Sequence, residues 1–541
     1  MRERKNAYVV SLVAVAAILA GCSTVPGKPV AASNTAPFYA AVVDLLTQSI
    51  ARYTGSDSEG TAWDIQTTTK GESLGTVFTA GQRSSVLVSG GTIYVRPPAS
   101  ALTSKLPRGL SFSEAGGRWI TGAADYGVKL PNLASPRDLA VALLDSLDRT
   151  ADFPHVGDPV VQVETEKAYE VETPDGKLAV STTAPYRVLR FLPESPSESS
   201  ADEGGSAAGV NPLGSPIIFP LMTPASREQA YRELIAQTQA LNSAVDTRVQ
   251  FDFDSAGSLD CTDTGCTVTT NVRTSTSSTS GGGVSGTVGA TMKATVTVDG
   301  TPSAGCVATQ QLPINGNAVM SCVDTSVAPL VAAIKARKQA EADAQSRAQG
   351  RSVTVEYFID YRASIDVQAA AMVQAEIDRA AAALRSDQES DRNRADCGTN
   401  CELQQIPYNS DRLSQAANQD RNGRGTPSDR NILVVLVPGW NDPTHGDLVI
   451  GTGESRSGNA TGESEEDVLG QLATRGFAPD RITGVYSERQ PCFVNCGSKL
   501  GQGLVAGTPV SYTIPWRAND QQALDAGNDL LDRLREEPAA G

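Results

Sequence analysis

From Asn431 to the C-terminus, short apolar runs alternate with amphipathic helical runs. The strand-like runs are NILVVLVPGW, GDLVIGTG, RITGVYSE and PVSYTIPW. The helical runs are GESEEDVLGQLATRG and NDQQALDAGNDLLDRL, with a further turn or helix at PCFVNCGSKLGQ. Ser464 and Asp467 predict a capping box at the start of the first helix. The order β-β-α-β-α-β-α over residues 431–541 predicts one α/β sandwich.

Residues suited to chemistry occur at two places in this segment. Glu465 lies in the first turn of the first predicted helix, and Cys492 and Cys496 follow the third strand after a proline. Each feature has a plainer interpretation. Acidic residues suit the first turn of any helix because the helix dipole favours negative charge there, and two nearby cysteines suit a disulfide.

Together these features resemble the zinc-dependent nucleotide deaminases. The resemblance is closest to the deaminase domains at the C-termini of bacterial polymorphic toxins, where YSERQPC has close counterparts. The family motif is H-x-E followed by P-C-x-x-C; the histidine and cysteines hold zinc, and the glutamate transfers protons. Over roughly the last fifth of the chain, the resemblance implies a deaminase-like fold, a nucleoside or nucleotide substrate and an immunity protein as partner.

Carried over residue by residue, the resemblance assigns Cys492 and Cys496 to the two thiolate ligands, with three intervening residues where two are usual. It assigns Glu465 to the catalytic glutamate. Glu463 stands where the family has histidine, which is a departure from the motif. A carboxylate can bind zinc, but it adds negative charge beside two thiolates. His445 is the alternative third ligand.

Asn441, just after the first strand, is expected to be substrate-binding because strand-end polar residues reach the pocket in this family. Turn formation explains Asn441 equally well. From Leu433 to Gly541 there are 8 Lys+Arg against 15 Asp+Glu, a net charge of −7. A groove for long single-stranded nucleic acid needs a basic track. The charge therefore favours a free nucleoside or nucleotide, or no substrate at all.

The N-terminus resembles the signal peptide of a bacterial lipoprotein. A charged start precedes an apolar run from Tyr8 to Ala20, which is shorter than the roughly 20 residues of a membrane-spanning helix. The run ends in Leu-Ala-Gly-Cys22, which resembles a lipobox. In that family the cysteine carries the lipid (palmitate) and becomes the mature N-terminus. The resemblance implies a lipid anchor at Cys22, the extracellular face of the cell membrane and a tether over residues 22–36.

Of the nine cysteines, the eight beyond Cys22 fall in close pairs. The pairs are Cys261/Cys266, Cys306/Cys322, Cys397/Cys401 and Cys492/Cys496. Outside the cell the setting is oxidising, so local disulfides are expected for all four pairs. For the last pair, zinc ligation and a disulfide both remain open.

Shifts in composition divide the rest of the chain. The predicted parts are a signal peptide (1–21), the tether, an α+β antiparallel domain (37–195), a linker (196–224), a disulfide-containing α+β antiparallel domain (225–385) and a polar, exposed connector (386–430). In the middle domain, Ala-rich helices are predicted at 326–348 and 365–386, flanking SVTVEYFIDY. The whole is a multidomain chain with a C-terminal deaminase-like sandwich.

The first domain combines two helices with alternating strands. Gly-Gly in LVSGGTIYV predicts a hairpin, and Ser135-Pro136 predicts a helix start. Through YVRPP, RWITG and PYRVLR the domain resembles the half-barrel lipoproteins of actinobacteria, whose curved sheet encloses a lipid-sized cavity. A plain β-rich spacer is the alternative.

Two functions follow. The first is a lipid-anchored exported protein with a zinc-dependent deaminase-like effector domain, released as a toxin by proteolysis in the connector. The alternative is a non-enzymatic surface lipoprotein that binds lipid or a partner, with an inactive deaminase fold held by a disulfide.

Overall fold

The computed structural model of the chain describes most residues from Asn34 to Glu536. The described ranges are 34–57, 59–98, 117–121, 128, 134–155, 157–194, 215–246, 249–253, 257–276, 287–370, 372, 374–395, 401–454, 462–491, 501, 503–517 and 520–536. The expected signal peptide, Cys22, most of the tether, Cys397, Cys492, Cys496 and the side chain of Cys401 lie outside this description. Within it, no helix has the length and apolar character needed to cross a membrane.

Ten antiparallel strands form the N-terminal sheet. They are β1 (Ile50–Ser56), β2 (Ala62–Thr68), β3 (Ser73–Thr79), β4 (Gln82–Ser89), β5 (Thr92–Arg96), β6 (Val161–Val163), β7 (Glu166–Thr173), β8 (Gly176–Ser181), β9 (Val188–Pro193) and β10 (Ile217–Ile218). The spatial order is β5-β4-β3-β2-β1-β10-β9-β8-β7-β6. The short strand β10 therefore joins two meanders edge to edge.

Two local predictions in this domain are confirmed. The hairpin between β4 and β5 turns at Gly90 and Gly91, whose φ angles of 58° and 74° favour glycine. The helix α2 (Pro136–Asp148) starts after Ser135, whose Oγ accepts the backbone N–H of Asp138 at 3.1 Å. In both cases the residues that decide the structure are adjacent in sequence.

Helices cover the sheet through two separate cores. Helices α1 (Ala36–Thr47) and α2 pack in one core together with Ala51 of β1. Ile50, the preceding residue, belongs to a second core with α3 (Pro224–Gln239) and α5 (Gln374–Ala395). Because successive strand residues point to opposite faces, the two cores lie on opposite sides of the sheet. The helices α3 and α5 of the predicted middle domain thus pack on the first sheet.

The middle region contains two four-stranded antiparallel sheets and a long helix. One sheet contains β11 (Val249–Phe253), β12 (Ser258–Thr262), β13 (Gly265–Thr276) and β17 (Asn317–Asp324). The other contains β14 (Thr287–Val298), β15 (Thr301–Pro302), β16 (Cys306–Pro313) and β18 (Tyr361–Ala370), and α4 (Ala328–Gln349) follows β17. Disulfides join Cys261 to Cys266 and Cys306 to Cys322, which confirms two of the four predicted pairs.

The helix predicted from residue 365 was wrong in position. Residues 352–360 have no regular structure, and β18 pairs with β14 along its full length. Val367 and Ala369 alternate into the core between the sheets. Alanine favours helices, but the period-2 burial opposite β14 overrides that local preference. The helix α5 begins only at Gln374.

The C-terminal region is one mixed sheet with helices. Its elements are β19 (Cys401–Gln405), α6 (Arg412–Arg424), β20 (Arg430–Leu436), β21 (Leu448–Glu454), α7 (Ser464–Thr474), β22 (Gly484–Arg489), β23 (Thr508–Ile514) and α8 (Gln521–Glu536). The strand order is β19-β23-β22-β20-β21. β23 is parallel to both β19 and β22, and the other pairs are antiparallel.

The polar segment 386–430, expected to be an exposed connector, contains two elements of this sheet domain. β19 forms its edge strand, and α6 packs against β20 and β22 with Ala416 and Ala417 buried. The polar composition of the segment suggested that it is exposed, because the partners that bury α6 lie far away in the sequence. One of these partners is Glu488 of β22.

Arg421 of α6 and Glu488 of β22 form a fully buried ion pair. Arg421 Nε and Nη2 donate to the two carboxylate oxygens of Glu488 at 2.8 and 2.5 Å. The remaining N–H groups of Arg421 donate to the carbonyls of Thr426, Pro427 and Arg430. Burial disfavours the charge, but the hydrogen bonds to Glu488 outweigh it and raise the pKa of Arg421. The pair thereby fixes α6 to the sheet.

Replacing Arg421 with methionine should destabilise the C-terminal sheet by about 3–5 kcal/mol, because it leaves the Glu488 carboxylate buried without its cation. Hydrogen–deuterium exchange of peptides from β20 and β22 measures this local loss in a multidomain chain. Arg412→Met, on an exposed position of the same helix, is the matched control and should exchange like the wild type. Unchanged protection in Arg421→Met would show that the pair does not hold the sheet.

Candidate active site

The start of α7 lies in direct backbone contact with β21. A Cβ placed on Gly453 would lie 2.1 Å from the backbone nitrogen of Ser464, and one on Gly451 would lie 2.5 Å from the carbonyl oxygen of Ser464. Only residues without a side chain permit so close an approach. The two glycines therefore set the position of the first helical turn, which carries Glu465.

Glu465 is buried and held by its neighbour. Ser464 Oγ donates to Glu465 Oε2 at 3.0 Å, and the two residues are 1% and 2% exposed. Asn431, at the start of β20, donates from Nδ2 to Ser464 Oγ and to Ser487 Oγ, both at 2.9 Å. Asn431 Oδ1 accepts the backbone N–H of Arg489 at 3.2 Å. This chain of hydrogen bonds connects β20, β22 and the helix start to the Glu465 carboxylate.

The predicted capping box between Ser464 and Asp467 does not form. Ser464 is the first helical residue and Glu463 is the N-cap. The Asp467 carboxylate instead accepts the backbone N–H of Thr452 in β21 at 2.9 Å. The helix start is tied to the strand and to Asn431, so the serine hydroxyl is available to the glutamate rather than to its own backbone.

The predicted third zinc ligand, Glu463, lies in the same turn as Glu465. Glu463 is half-buried, and its carbonyl accepts the backbone N–H of Asp467 at 3.1 Å. The predicted thiolate ligands Cys492 and Cys496 lie outside the described residues. The chain that leads toward them is described as far as Pro491, directly beyond the end of β22 and its Arg489. Among the described residues, no group of three potential ligands forms a metal cluster.

Asn441 and His445 lie at the opposite end of β20 from Asn431. Both belong to the turn between β20 and β21, where Asp442 Oδ1 accepts the backbone N–H of His445 at 3.0 Å. Asn441 has a φ of 51° and donates from Nδ2 to the carbonyl of Gly439 at 3.1 Å. The seven residues of β20 span roughly 20 Å. The structure does not bring either residue to Glu465, and the turn interpretation of Asn441 describes its contacts.

Sequence reasoning missed the polar groups that hold Glu465. Asn431 was included only as the first residue of an apolar strand, and Ser487 as part of the third strand. The antiparallel pairing places Leu433 opposite Ser487 and Asn431 opposite Gly453. That register, rather than any motif, brings Asn431 to the helix start. A polar residue opening an otherwise apolar strand was the only available signal.

Arg489, two residues beyond Ser487, is also buried in this region. Arg489 Nη2 donates to the Ser428 carbonyl and to Asn528 Oδ1, and the guanidinium lies 5.8 Å from the Trp516 ring. Burial lowers the pKa of Arg489 to about 10. The side chain thus connects β22 to α8 and keeps the strand end in place.

A cleft of about 300 Å³ opens between the N-terminal sheet domain and the C-terminal sheet. Its polar lining includes Arg52, Arg187, Arg227, Gln405, Gln490 and Tyr512. Gln490 follows β22 directly and its backbone N–H donates to the carbonyl of Ile514 at 2.9 Å. The cleft therefore borders the strand end that leads to Pro491.

The glycine contact gives a test of how the helix start is held. Gly453→Ala should destabilise the contact of α7 with β21 by about 1–3 kcal/mol, because its Cβ collides with backbone. Gly470 lies within α7, and an added Cβ there would have nothing within 4 Å. Gly470→Ala should therefore stabilise the helix by about 1 kcal/mol. Hydrogen–deuterium exchange of α7 peptides measures both. Equal exchange in the two variants would contradict the close approach.

One known family matches this part of the chain. Residues 428–533 match a family described as Xanthomonas-like deaminase. No curated protein matches the chain. The matched range includes β20 to β23, the helix start with Glu465 and most of α8, while β19 and α6 precede it. The C-terminal region of this protein is therefore a deaminase-like domain, extended at its N-terminal side by one strand and one helix.

Proposed function

We propose that this chain is an exported protein, lipid-anchored at Cys22 on the extracellular face of the cell membrane, whose C-terminal domain hydrolyses an exocyclic amine of a nucleobase. The substrate is a free cytosine or adenine nucleoside or nucleotide, in keeping with the acidic charge of the domain. As an effector it would be paired with an immunity protein. The catalytic activity, the zinc site, the export and the immunity-protein partner are all part of what we propose.

The observation that carries the proposal is the position of Glu465. A carboxylate that is 2% exposed, held at one oxygen by a serine, lies in the first turn of the helix within the family match. Burial of this kind is common at acid–base residues, although structural carboxylates share it. The Ser464 hydroxyl donates to Oε2, so Oε1 is the oxygen that would move a proton.

The residues proposed for zinc are compatible with that metal. Cys492 and Cys496 offer thiolates and Glu463 offers a carboxylate, all of which are zinc donors. With three negatively charged ligands, zinc would lower the pKa of its bound water less than it would with two thiolates and a histidine. When bound, zinc would supply the Lewis-acid chemistry that activates water.

The reaction is balanced by proton movements at Glu465. Water adds its oxygen to the ring carbon that carries the amine, and Glu465 Oε1 accepts a proton from that water. Glu465 gives this proton to the ring nitrogen, then takes the second proton from the added hydroxyl and gives it to the amine; the C–N bond breaks, ammonia leaves and the hydroxyl oxygen becomes the product carbonyl. Asn431 and Ser464 take no proton; they hold the carboxylate in place by hydrogen bonds.

The second candidate function, a non-enzymatic surface lipoprotein, is favoured by the disulfides of the middle region. Cys261–Cys266 and Cys306–Cys322 are oxidised in the structure. A chain that forms these bonds is exposed to conditions that would also oxidise Cys492 and Cys496. In that case the C-terminal domain would be inactive, and the first domain would bind lipid or a partner.

Zinc and thiol content of the purified full-length chain separates the two candidates. The deaminase proposal expects one zinc per chain by elemental analysis, with Cys492 and Cys496 protected from alkylation until a chelator is added. Cys492→Ser should lose the metal, while Cys397→Ser should keep it. A chain without zinc, with Cys492 and Cys496 joined by a disulfide in the peptide map, would eliminate the enzyme proposal.

Glu465→Gln should reduce ammonia release from cytidine, adenosine or their monophosphates by about 10²–10⁴-fold, because the amide cannot transfer the proton. Zinc content and hydrogen exchange of α7 should stay at the wild-type level, since glutamine still accepts from Ser464.

The matched control for this substitution is Glu466→Gln, an exposed position in the same turn, which should retain wild-type activity. Equal activity of Glu465→Gln and the wild type would refute the catalytic role of Glu465. If the zinc-loaded wild type itself releases no ammonia from these four substrates, the non-enzymatic function is supported instead.

A further inference from the structure

The last helix of the deaminase-like domain packs into the core of the N-terminal domain. Ala523, Leu530 and Leu531 of α8 are buried in one cluster with residues of α1 and α2, among them Phe38 and Leu143. Ile514 of β23 belongs to the same cluster. The apolar face of α8 is thus covered by two helices that lie more than 370 residues earlier in the chain.

Charged contacts hold the N-terminal end of α8. Arg137, in the first turn of α2, donates to both oxygens of the Asp520 carboxylate at 2.9 Å and to Gln522 Oε1 at 3.1 Å. Asp520 directly precedes α8 and is 7% exposed, and it also accepts the backbone N–H of Ala523 at 3.1 Å. Separation of the two domains would leave a mostly buried carboxylate without its guanidinium.

A second set of contacts holds the C-terminal half of α8. The Arg533 guanidinium lies 3.9 Å from the centre of the Tyr39 ring and donates to Asp148 Oδ1 at 2.8 Å. Tyr39 OH donates to the same Asp148 oxygen at 2.9 Å. Burial, together with the hydrogen bond to Asp148, raises the pKa of Tyr39. Both ends of α8 are therefore fixed to the first domain by planar, directional contacts.

The residues between β23 and α8 add a third contact. Arg517 donates from Nη1 to the Gln48 carbonyl at 3.4 Å and from Nη2 to Thr69 Oγ1 at 3.2 Å. None of these contacts involves the segment between α5 and β19, where the chain passes from one domain to the other. The association consequently does not depend on an intact peptide bond there.

We propose that the N-terminal domain is a tight noncovalent partner of the deaminase-like domain, and that a cut between Ala395 and Cys401 does not release it. The apolar face of α8, flanked by Arg137 at one end and Asp148 at the other, is the contact surface. Release requires a second event that removes α8 from α1 and α2. The proposal concerns association only and does not depend on catalysis.

The test uses the full-length chain with residues 396–400 replaced by a glycine-flanked recognition sequence for a specific protease. The replacement removes Cys397, so a disulfide to Cys401 cannot join the two fragments. After complete cleavage, checked on a denaturing gel, both fragments should elute together at the volume of the uncut chain in a 1:1 ratio at micromolar concentration. Separate elution of the two fragments would overturn the proposal.

A charge reversal assigns the contact to the start of α8. In the cleavable chain, Arg137→Asp should weaken the association of the fragments at least tenfold, and Asp520→Arg added to it should restore most of the loss. Arg149→Asp is the matched control, because Arg149 of the same region forms its ion pairs among the described residues within the first domain, with Asp145 and Asp175. Unchanged association in Arg137→Asp would refute α8 as the contact.

Uncut samples of every variant serve as controls for correct folding. Each uncut chain should elute as the wild type does and keep wild-type exchange protection in β20 and β22. Loss of that protection in uncut Arg137→Asp would show that Arg137 stabilises the fold of the deaminase-like domain rather than its association with the N-terminal domain. The assignment of Arg137 to the contact surface would then be wrong.

Discussion

The geometry of the deaminase-like domain depends on the buried pair between Arg421 and Glu488. A guanidinium and a carboxylate without solvent are stable only when every donor and acceptor is used, since unpaired buried charges are strongly unfavourable. Here Arg421 uses all its N–H groups, and Glu488 additionally accepts the backbone N–H of Ile432 at 3.0 Å. The pair thus ties α6, β22 and β20 together, which also fixes the register between the two strands.

The same strand has a different role on its other face. Successive residues of β22 point to opposite sides, so Glu488 faces α6 while Ser487 meets Asn431 beneath the start of α7. Asn431 then holds Ser464, which holds Glu465. The buried ion pair and the candidate catalytic carboxylate are therefore two results of one strand register. A shift of one residue would exchange the two faces and lose both.

How well the sequence predicts the structure of this chain depends on how far apart the interacting residues lie in the sequence. The Gly90–Gly91 hairpin, the Ser135 cap and the disulfide between Cys261 and Cys266 involve neighbours, and their patterns sufficed. The deaminase-like domain was identified because its glutamate and cysteine motifs are local as well. The segment around α6 was mistaken for a connector because Arg421 is polar by type, and its partner lies 67 residues away. The strand register that brings Asn431 to the start of α7 is likewise not written in any short motif.

The helix α8, the strand β23 and the helices α1 and α2 share one core, which couples the domains more closely than their order in the chain suggests. Gly527 lets the helix approach Ile514 of β23, where an added Cβ would lie 3.3 Å from a methyl group. Leu530 and Leu531 enter the same core beside α1 and α2. The helix is amphipathic, and its apolar face is the one buried in this core. Removing the first domain would expose the apolar face of α8. The stability of the deaminase-like domain therefore depends in part on a domain outside the family match. The position of Arg489 depends on it as well, because Arg489 contacts Asn528 of the same helix. The N-terminal domain therefore contributes to the region that contains the candidate active site, rather than acting only as a spacer.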